Sequence, residues 1–332
     1  MNILVTGASG YIGSALIPEL AEAGHSGVAV SRKPMSKLPP DWLWRNRAAV
    51  LEVSSQAGVI PQAVDAVIHL EVKQHVYDPT RSDLAEFEAV NVEGVKHWLD
   101  WCDSHRVSRF ILFSSIKAVA DSEECRDENA DGEPATAYGM SKARAESLVR
   151  KWAQASHGRA ALVLRLAVVY GPGNEANMFS LVEAIDRGRF FLIGRNDNVK
   201  SLVAMRNLLA AVTHLIERMQ PGLQIYNITD RHSYSVCQLA VMIAKVLGRG
   251  GTLRTLPLPF AQALAFFGDA VVRITGIRFP LTRSRLKALL ESTHFSCEKL
   301  IKTGFRHPQT TEQGLSEMIK WYRNSKPGSE RS

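Results

Sequence analysis

Three side-chain types in the first half of the chain could together move a proton on a substrate hydroxyl. Tyr138 and Lys142 stand four residues apart in AYGMSKARAE, so they share one face of a predicted helix. A phenol with a pKa of about 10 is a poor base at neutral pH, and a nearby ammonium or cationic cofactor lowers that pKa. Ser114 and Ser115 end an apolar run, where a hydroxyl can orient the same substrate oxygen. The spacing predicts acid–base chemistry by Tyr138, tuned by Lys142, with one serine positioning the oxygen.

A glycine-rich turn near the start of the chain offers a site for a dinucleotide. The apolar run ILV leads into TGASGYIG, in which Gly7, Gly10 and Gly13 lie between a predicted strand and helix. Glycine lets a phosphate approach the backbone, and a helix N-terminus offers free N–H groups and partial positive charge. The second strand ends in Ser31 and Arg32, followed by a lysine and without a carboxylate. This end favours NADP(H) as the cofactor and leaves NAD(H) as the alternative.

The elements that must hold these residues alternate short apolar runs with longer amphipathic ones. Strands are predicted at 3–5, 28–30, 48–53, 65–70, 109–115, 160–166, 201–205 and 224–228, and helices at 11–23, 82–104, 137–156 and 206–219. Continuous apolar strands separated by helices indicate a parallel sheet buried on both faces. We therefore predict an α/β fold, a Rossmann-type doubly wound parallel sheet with a smaller, mainly helical C-terminal substrate lobe.

The change of pattern along the chain predicts two interleaved domains. The cofactor-binding domain is expected at 1–169 and about 200–230, the substrate-binding lobe at about 170–199 and 231–324, and a disordered tail at 325–332. Residues 256–277 form the most apolar segment and are predicted to be a buried or amphipathic helix of the lobe. Membrane association is not favoured, because one apolar helix face more often packs inward.

Composition narrows the possible classes of protein. The chain has 332 residues, of which 45% are hydrophobic and 22% charged, which excludes a disordered chain or a collagen-like repeat. The net charge of +7 comes without a Lys/Arg run, so no nucleic-acid groove is predicted. The four cysteines are far apart and no metal-ligand spacing occurs, so we expect reduced thiols and no metal. No signal peptide or spanning segment is visible, which predicts a cytoplasmic protein.

The order of the motifs resembles that of the extended short-chain dehydrogenases/reductases, the NAD-dependent epimerase/dehydratase group that acts on nucleotide sugars. The motifs span nearly all of residues 1–324 and are TGASGYIG, DAVIHL, FSSIKA, YGMSK and LRLAVVYGPG. The resemblance implies catalytic roles for Ser115, Tyr138 and Lys142. It implies cofactor contacts from Gly7, Gly10, Tyr11, Ile12, Gly13, Ser31, Arg32, Leu70, Asn91, Tyr138 and Lys142, and substrate contacts from Ser115, Asn177, Lys200 and Arg283. It also implies a homodimer joined by the helices at 82–104 and 137–156 in a four-helix contact.

Finer features resemble the bacterial sugar-nucleotide 4-epimerases and 4-ketoreductases of O-antigen and capsule pathways, including the enzymes of UDP-N-acetylquinovosamine-type sugars. The chain departs from that pattern at three positions. Ile116 stands where many 4-epimerases have a third serine or threonine, which favours Ser115 as the catalytic serine and leaves Ser114 possible. Glu71 replaces a small residue near the cofactor, and Val168 stands where many UDP-galactose epimerases have Asn.

The resemblance implies hydride transfer at C4 of a UDP- or dTDP-linked hexose. The turn at Ser31 and Arg32 favours a net NADPH-dependent reductase that contributes to surface polysaccharide synthesis. One alternative is a nucleotide-sugar 4-epimerase with tightly bound NAD, since both reactions need the same serine, tyrosine and lysine. A second alternative is a non-catalytic NAD(P)-binding regulatory or scaffold protein.

Overall fold

The computed structural model describes residues 1–52, 63–76, 79–194, 196–250, 253–275, 279 and 281–325. The strands are β1 (Asn2–Thr6), β2 (Ser26–Ser31), β3 (Trp42–Asn46), β4 (Ala66–His69), β5 (Arg109–Ser115), β6 (Ala160–Leu166), β7 (Val168–Tyr170), β8 (Phe191–Ile193), β9 (Val199–Lys200), β10 (Leu202–Ala204), β11 (Gly222–Ile228), β12 (Tyr234–Ser235) and β13 (Arg254–Leu256). The α-helices are α1 (Tyr11–Glu22), α2 (Arg47–Glu52), α3 (Arg81–Glu86), α4 (Gly94–Ser104), α5 (Ala137–Gln154), α6 (Asn177–Asp186), α7 (Met205–Ile216), α8 (Val236–Val246), α9 (Leu258–Thr275), α10 (Arg283–Leu290), α11 (Glu298–Lys302) and α12 (Thr311–Ser325). A π-helix (Phe87–Glu93) joins α3 to α4, and a 3-10 helix (Ile116–Ala118) follows β5.

Seven parallel strands form the central sheet in the order β11-β6-β5-β4-β1-β2-β3. Their apolar residues are buried on both faces, with Ile3 and Ile68 in one core cluster and Leu4 and Val67 in the other. The chain moves outward from β1 to β3 and then returns beside β1 with β4. The carboxyl ends of β1 and β4 therefore meet at a switch point, where sheets of this kind bind ligands. The predicted doubly wound α/β fold is confirmed.

The third strand of the sheet lies earlier in the chain than predicted. The sequence predicts a strand at 48–53, but Arg47–Glu52 forms helix α2, and Val53 lies outside the described residues. The strand is instead β3, which occupies the sheet edge and buries only Trp42. An edge strand that ends in Arg45 and Asn46 has a weak apolar pattern, so the stronger apolar run of α2 was misread as the strand.

The long helix predicted at 82–104 is interrupted in its middle. Helix α3 begins with a capping box between Thr80 and Asp83, the π-helix follows, and the chain continues as α4. A π-helix has i→i+5 hydrogen bonds and is often found at functional sites. Asn91, within this π-helix, is buried with 1% of its surface exposed. The interruption therefore gives a polar residue a place in the interior.

The C-terminal region is mainly helical, as predicted. Helices α6, α8 and α12 pack together around a core that includes Val182, Ile243 and Leu315. Among the described residues, no helix is both long and apolar enough to cross a membrane. The predicted disordered tail begins at Ser325, which ends α12, and residues 326–332 lie outside the described part of the chain.

Helix α9 faces the rest of the protein with its smallest residues. Ala261 and Gly268 are buried, whereas Phe260 and Phe267 have exposed fractions of 68% and 59%. A side chain at Gly268 would collide with the Leu281 carbonyl, so the close approach of this neighbouring segment requires small residues on the inner face. The prediction that the apolar face of this segment packs inward is therefore wrong for its phenylalanines.

Candidate active site

Tyr138 and Ser115 meet at the carboxyl edge of the sheet. Helix α5 begins beside the end of β5, where the Gly139 N–H donates to the Thr136 hydroxyl at 3.0 Å. This start places Tyr138 beside Ser115, the last residue of β5, and the interaction between the two hydroxyls acts to lower the pKa of Tyr138. The Ser115 hydroxyl also accepts from the Lys117 N–H at 3.2 Å. The Tyr138 ring also packs edge-on against His75, with ring centroids 5.8 Å apart. The phenol thus lies half-buried at the edge where a parallel sheet binds ligands.

Burial controls the ionisation of the proposed catalytic groups. It raises the pKa of Tyr138 above its ordinary value, and the hydrogen bond with Ser115 acts in the opposite direction. Burial also lowers the pKa of Lys142 to about 8. The Lys142 ammonium donates to the Phe113 carbonyl at 2.5 Å. The sequence argument expected Lys142 to lower the pKa of Tyr138. In the structure, the group that counteracts the effect of burial on this pKa is the Ser115 hydroxyl.

The two neighbouring serines of β5 have different environments. The Ser114 hydroxyl donates to the Glu146 carboxylate at 2.5 Å, and this carboxylate also binds the Arg165 guanidinium at 2.8 Å. All three residues are buried. Ser114 is therefore part of an internal ion-pair cluster, whereas Ser115 contacts Tyr138. A sequence in which two serines stand side by side does not by itself distinguish these two positions.

The glycine turn between β1 and α1 is compact enough to admit a phosphate beside the backbone. Gly7 has φ +64°, a conformation that side chains rarely adopt. A Cβ atom at Gly13 would lie 2.7 Å from the Gly7 and Ala8 carbonyl oxygens. Gly10 is the N-cap residue of α1 and has an extended backbone, so the N–H groups of the first helical turn carry no side-chain cap. This cradle fits the diphosphate of a dinucleotide.

Three further residues were expected to border the glycine turn, and they belong to helix α1 and to the end of β4. A Cβ atom at Gly7 would lie 2.9 Å from the carbonyl carbon of Leu70, so the turn packs against the end of β4. Ile12 is half-buried in α1. The Tyr11 hydroxyl donates to the Pro172 carbonyl at 3.2 Å, and burial raises its pKa to about 12. Tyr11 thus links the turn to the segment after β7.

The residues at the end of β2 differ in their accessibility. The Ser31 hydroxyl is buried, donates to the Lys33 carbonyl at 2.6 Å and accepts from the Trp44 indole at 3.0 Å. Arg32 and Lys33 are exposed. The single hydroxyl proton of Ser31 is therefore already used, and Arg32 is the residue there that can reach a cofactor.

Asn91 connects the loop after β4 to helix α5. Its carboxamide oxygen accepts from the Lys73 N–H at 2.8 Å, and its nitrogen donates to the Lys73 carbonyl at 3.1 Å. The same nitrogen donates to the Ser141 hydroxyl at 3.0 Å. These contacts hold the loop that carries His75 against the helix that carries Tyr138. In the structure Asn91 positions other elements of the site.

Glu71, the departure noted directly after β4, has an ion-pair partner. Its carboxylate accepts from Arg47 of α2 at 2.8 Å and from the Trp98 indole at 3.3 Å. The Glu71 side chain is 12% exposed and that of Arg47 is 32% exposed. The negative charge near the glycine turn is therefore balanced by an arginine from the neighbouring crossover.

The three residues expected to hold the substrate diphosphate lie in different elements. Asn177 is the exposed first residue of α6. The Lys200 ammonium donates to the Ala288 carbonyl at 3.0 Å and also to the Glu291 carbonyl, and burial lowers its pKa to about 8. Arg283 begins α10 and forms an ion pair with Asp269. In the structure Lys200 thus reaches the far end of α10, whereas Arg283 begins it.

A cavity of about 740 Å³ lies next to Glu291 and is also lined by Phe266 and Arg283. Lys117 follows β5 and contacts the Glu291 carboxylate at 3.5 Å. His75 lies near the same two charges, because Lys117 and Glu291 both influence its pKa, which burial lowers. A chain of neighbouring side chains therefore runs from Glu291 at the cavity through Lys117 and His75 to the Tyr138 ring.

Lys117 and His75 are not among the residues to which the sequence analysis assigned a role. The one available signal was their position just after the carboxyl ends of β5 and β4. Among the described residues, no group of three or more His, Cys, Asp or Glu side chains could hold a metal ion. The chemistry available at this site is proton transfer by a phenol beside a dinucleotide cradle.

Comparison with known proteins identifies the class of enzyme with this arrangement. The model of the NAD dependent epimerase/dehydratase family matches residues 3–229. An N-acetyl-alpha-D-glucosaminyl-diphospho-ditrans,octacis-undecaprenol 4-epimerase from Escherichia coli O157:H7 is 27% identical over 324 residues, covering 96% of this chain and 95% of the relative. A UDP-glucose 4-epimerase from Vibrio cholerae is 26% identical over 327 residues, covering 95% and 94%.

A similar fold occurs in a solved structure with both ligands bound. The UDP-glucuronic acid 4-epimerase from Bacillus cereus in complex with UDP-glucuronic acid and NAD has a TM-score of 0.75 and 18% identity to this chain. The match covers 98% of this chain and 100% of that one. At this level of identity the likeness establishes the shared fold.

Proposed function

The chain belongs to the NAD dependent epimerase/dehydratase family, and from that premise we propose that it is a 4-epimerase of a diphosphate-linked hexose with a retained NAD. The sequence argument placed a net reductase first and the 4-epimerase second. The two relatives described above, which are 27% and 26% identical to this chain, are 4-epimerases, and this supports the second of these readings. The observation that supports the proposal is the placement of Tyr138, at the start of α5, beside Ser115, at the carboxyl end of β5, on the edge of the sheet that also carries the glycine turn.

In this proposal Tyr138 moves the proton of the C4 hydroxyl. Ser115 donates to or accepts from the same sugar oxygen and stabilises the phenolate, because its hydrogen bond lowers the Tyr138 pKa. Lys142 lies one helical turn further along α5 and supplies a buried donor beside β5. A dinucleotide held by the glycine turn would supply reversible hydride transfer at C4, with no net consumption of the cofactor in an epimerisation.

The cofactor would be held by the glycine turn and by the residues around it. Gly7, Gly10 and Gly13 form the diphosphate cradle, and Tyr11, Ile12 and Leu70 border it. Arg32 lies where the adenosine ribose of a dinucleotide is bound in such folds, and Asn91 supports the loop on the other side. We favour NAD because an epimerase regenerates its cofactor, although the exposed Arg32 still makes NADP the alternative to be tested.

The substrate diphosphate would bind on the side of the cavity. Arg283 lines the cavity, and Lys200 and Lys117 contact Glu291, another of its lining residues, so these three cations would attract the diphosphate. Asn177 of α6 is the residue we expect to supply a carboxamide. A nucleoside on the diphosphate, as in UDP- or dTDP-hexoses, would make this a nucleotide-sugar enzyme of a surface polysaccharide pathway. The division into a cofactor domain and a substrate lobe, and a homodimer through the α4 and α5 region, remain predictions of this proposal.

The purified chain provides a direct test of these alternatives. We expect a denatured sample to release NAD, and the native protein to convert UDP-glucose, UDP-N-acetylglucosamine or a related nucleotide sugar into a mixture of C4 epimers without net change in reduced nicotinamide. Stoichiometric consumption of NADPH with a 4-keto sugar would instead support the reductase. Dinucleotide binding without any turnover would support the non-catalytic scaffold alternative, and absence of both turnover and dinucleotide binding would also overturn our proposal.

Replacing Ser115 by Ala should change the pH dependence of turnover. The hydrogen bond from Ser115 lowers the Tyr138 pKa, so its loss raises that pKa and moves the rising limb of the rate profile to higher pH. We also expect kcat to fall about 100-fold, the usual effect of losing one group that stabilises the reacting oxygen. The measurement is kcat against pH for the wild type and the variant.

Ser114→Ala is the matched control for this experiment, because the Ser114 hydroxyl donates to the buried Glu146 carboxylate and belongs to the internal ion-pair cluster. Its rate profile should keep the wild-type midpoint even if the protein is less stable. A shifted midpoint in Ser114→Ala together with an unchanged one in Ser115→Ala would reverse the assignment of the two serines.

A further inference from the structure

Helix α9 carries the most exposed large apolar side chains of the described residues. These are Phe260, Phe266, Phe267 and Ile274, with exposed fractions of 68%, 65%, 59% and 83%. Phe260, Phe267 and Ile274 are seven residues apart in turn, so they form one stripe along the helix. Because Ala261 and Gly268 occupy the inner face, the helix presents its large apolar groups outward. An apolar stripe of this kind marks an interaction surface.

Basic residues outnumber acidic ones in and around α9. Residues 253–291 contain six arginines or lysines and two acidic residues, Asp269 and Glu291. Arg283 pairs with Asp269, and Lys287 pairs with Glu291 at 3.6 Å, so both acidic groups of the segment are already matched. Arg254 and Arg273 are exposed in addition to these pairs. The surface that surrounds the stripe is therefore complementary to a layer of negative charge.

We propose that α9 docks on the surface of an anionic phospholipid bilayer. A helix with phenylalanines on one face and flanking cations lies in the membrane plane, with its apolar side chains at the boundary between headgroups and acyl chains. A second copy of this chain is a poorer partner, because two such surfaces would bring like charges together.

The cavity beside α9 gives this docking a role in the reaction, and this part of the inference rests on the proposed function. Phe266 lines the cavity together with Lys287 and Glu291, and Arg283 lies over the Phe266 ring at 5.6 Å from its centroid. Docking of α9 would therefore place the mouth of the substrate cavity at the membrane surface. Substrates or products that belong to membrane-bound reactions could then enter and leave there.

Vesicle binding of the full chain tests the proposal without any assay of turnover. The probe is a sedimentation measurement with vesicles of phosphatidylglycerol and phosphatidylcholine in equal parts. We expect the wild type to bind, and Phe260→Ser/Phe267→Ser to bind at least about tenfold more weakly, since each buried phenylalanine contributes strongly to partitioning. Vesicles of phosphatidylcholine alone should also reduce binding about tenfold or more, because the cations lose their partners.

The matched control is Leu84→Ser/Val241→Ser, which removes two apolar side chains that are 45% and 53% exposed on other helices. This variant should bind vesicles as the wild type does.

Equal binding by wild type and Phe260→Ser/Phe267→Ser, or no binding by folded wild type, would overturn the proposal. The proposal would also be overturned if the wild type and the control formed a concentration-dependent dimer and Phe260→Ser/Phe267→Ser did not. In that case the stripe would be the contact surface between two copies of this chain. Since epimerisation of a soluble nucleotide sugar is measured separately, failure of docking and failure of the proposed function are distinguishable.

Discussion

Tyr138→Phe should lower kcat by about 10²- to 10⁴-fold, the range expected when a positioned acid–base group is removed. The variant keeps the ring and therefore its edge-on packing against His75, so it removes only the hydroxyl and its contact with Ser115. Because the glycine turn is untouched, binding of NAD should remain close to that of the wild type. The measurements are single-turnover and steady-state rates of C4 epimerisation, together with the amount of NAD released on denaturation.

Tyr322→Phe is the matched control for the loss of a buried phenol. Tyr322 lies in α12 and donates to Asp186 at 3.0 Å, away from the sheet edge. The Tyr322→Phe variant should catalyse C4 epimerisation at the wild-type rate, even if the lost hydrogen bond lowers the free energy of unfolding by about 1 kcal/mol. Wild-type turnover by Tyr138→Phe would contradict the assignment of the proton-transfer group, whereas loss of both turnover and NAD would indicate a damaged fold.

Glu146→Gln should have the largest effect on stability, a loss of about 3–5 kcal/mol in the free energy of unfolding. The Arg165 guanidinium binds both carboxylate oxygens of Glu146, with N–O distances of 2.8–3.2 Å. The two side chains are only 7% and 9% exposed. Removing the negative charge leaves a buried arginine without its counter-ion, and the remaining Ser114 hydroxyl cannot replace it. Urea unfolding followed by circular dichroism measures the loss.

Two further variants distinguish the cost of a buried unpaired charge from the cost of losing any ion pair. Glu146→Met/Arg165→Met removes both charges and should recover part of the stability, because no unpaired charge stays buried. Glu217→Gln breaks an exposed pair with Arg218 in which both side chains are 50% exposed, and should cost no more than about 1 kcal/mol. A loss below 1 kcal/mol in Glu146→Gln would contradict this account of the cluster.

The same variant connects stability to the proposed chemistry. Lys142 precedes Glu146 by one helical turn, and the Glu146 charge acts against the burial that lowers the Lys142 pKa. Loss of that charge therefore lowers the Lys142 pKa further and leaves a smaller fraction of charged lysine at neutral pH. The cluster that holds Ser114 in the core also helps to keep the neighbouring lysine protonated.

The sequence was sufficient for the central sheet because most strands carry a strong local signal. Strands β1, β4, β5 and β6 are continuous apolar runs, and the glycine turn follows the first of them. Strand β3 lacks that signal, since it lies at the edge and only Trp42 is buried. The π-helix was also missed, because its apolar pattern differs from that of an α-helix by a single residue per turn.

Residue spacing predicted those parts of the candidate site that lie on a single helix or strand, but not the contacts between different elements. Spacing places Tyr138 and Lys142 on one helix face, but it does not state which neighbouring serine contacts the phenol. Arg165 within the apolar run AALVLRL does signal a buried partner, since a charge in a core strand requires a counter-ion. Its partner is Glu146, on a different element, and that pairing depends on how α5 packs over the sheet. The roles of His75 and Lys117 likewise depend on loops whose paths local patterns do not fix.

In the π-helix that carries Asn91, deleting a residue should disturb the site more than replacing one amino acid by another. Each residue of an α-helix turns the chain by about 100°, so shortening the Phe87–Glu93 stretch by one position would rotate the preceding turns relative to α4. Asn91 would then face a different direction and lose both the Lys73 backbone and Ser141. Exchange of an outward-facing side chain in this stretch leaves the Asn91 contacts in place, whereas a change in its residue count does not. We expect natural variants of this chain to tolerate amino-acid exchange there far better than gaps.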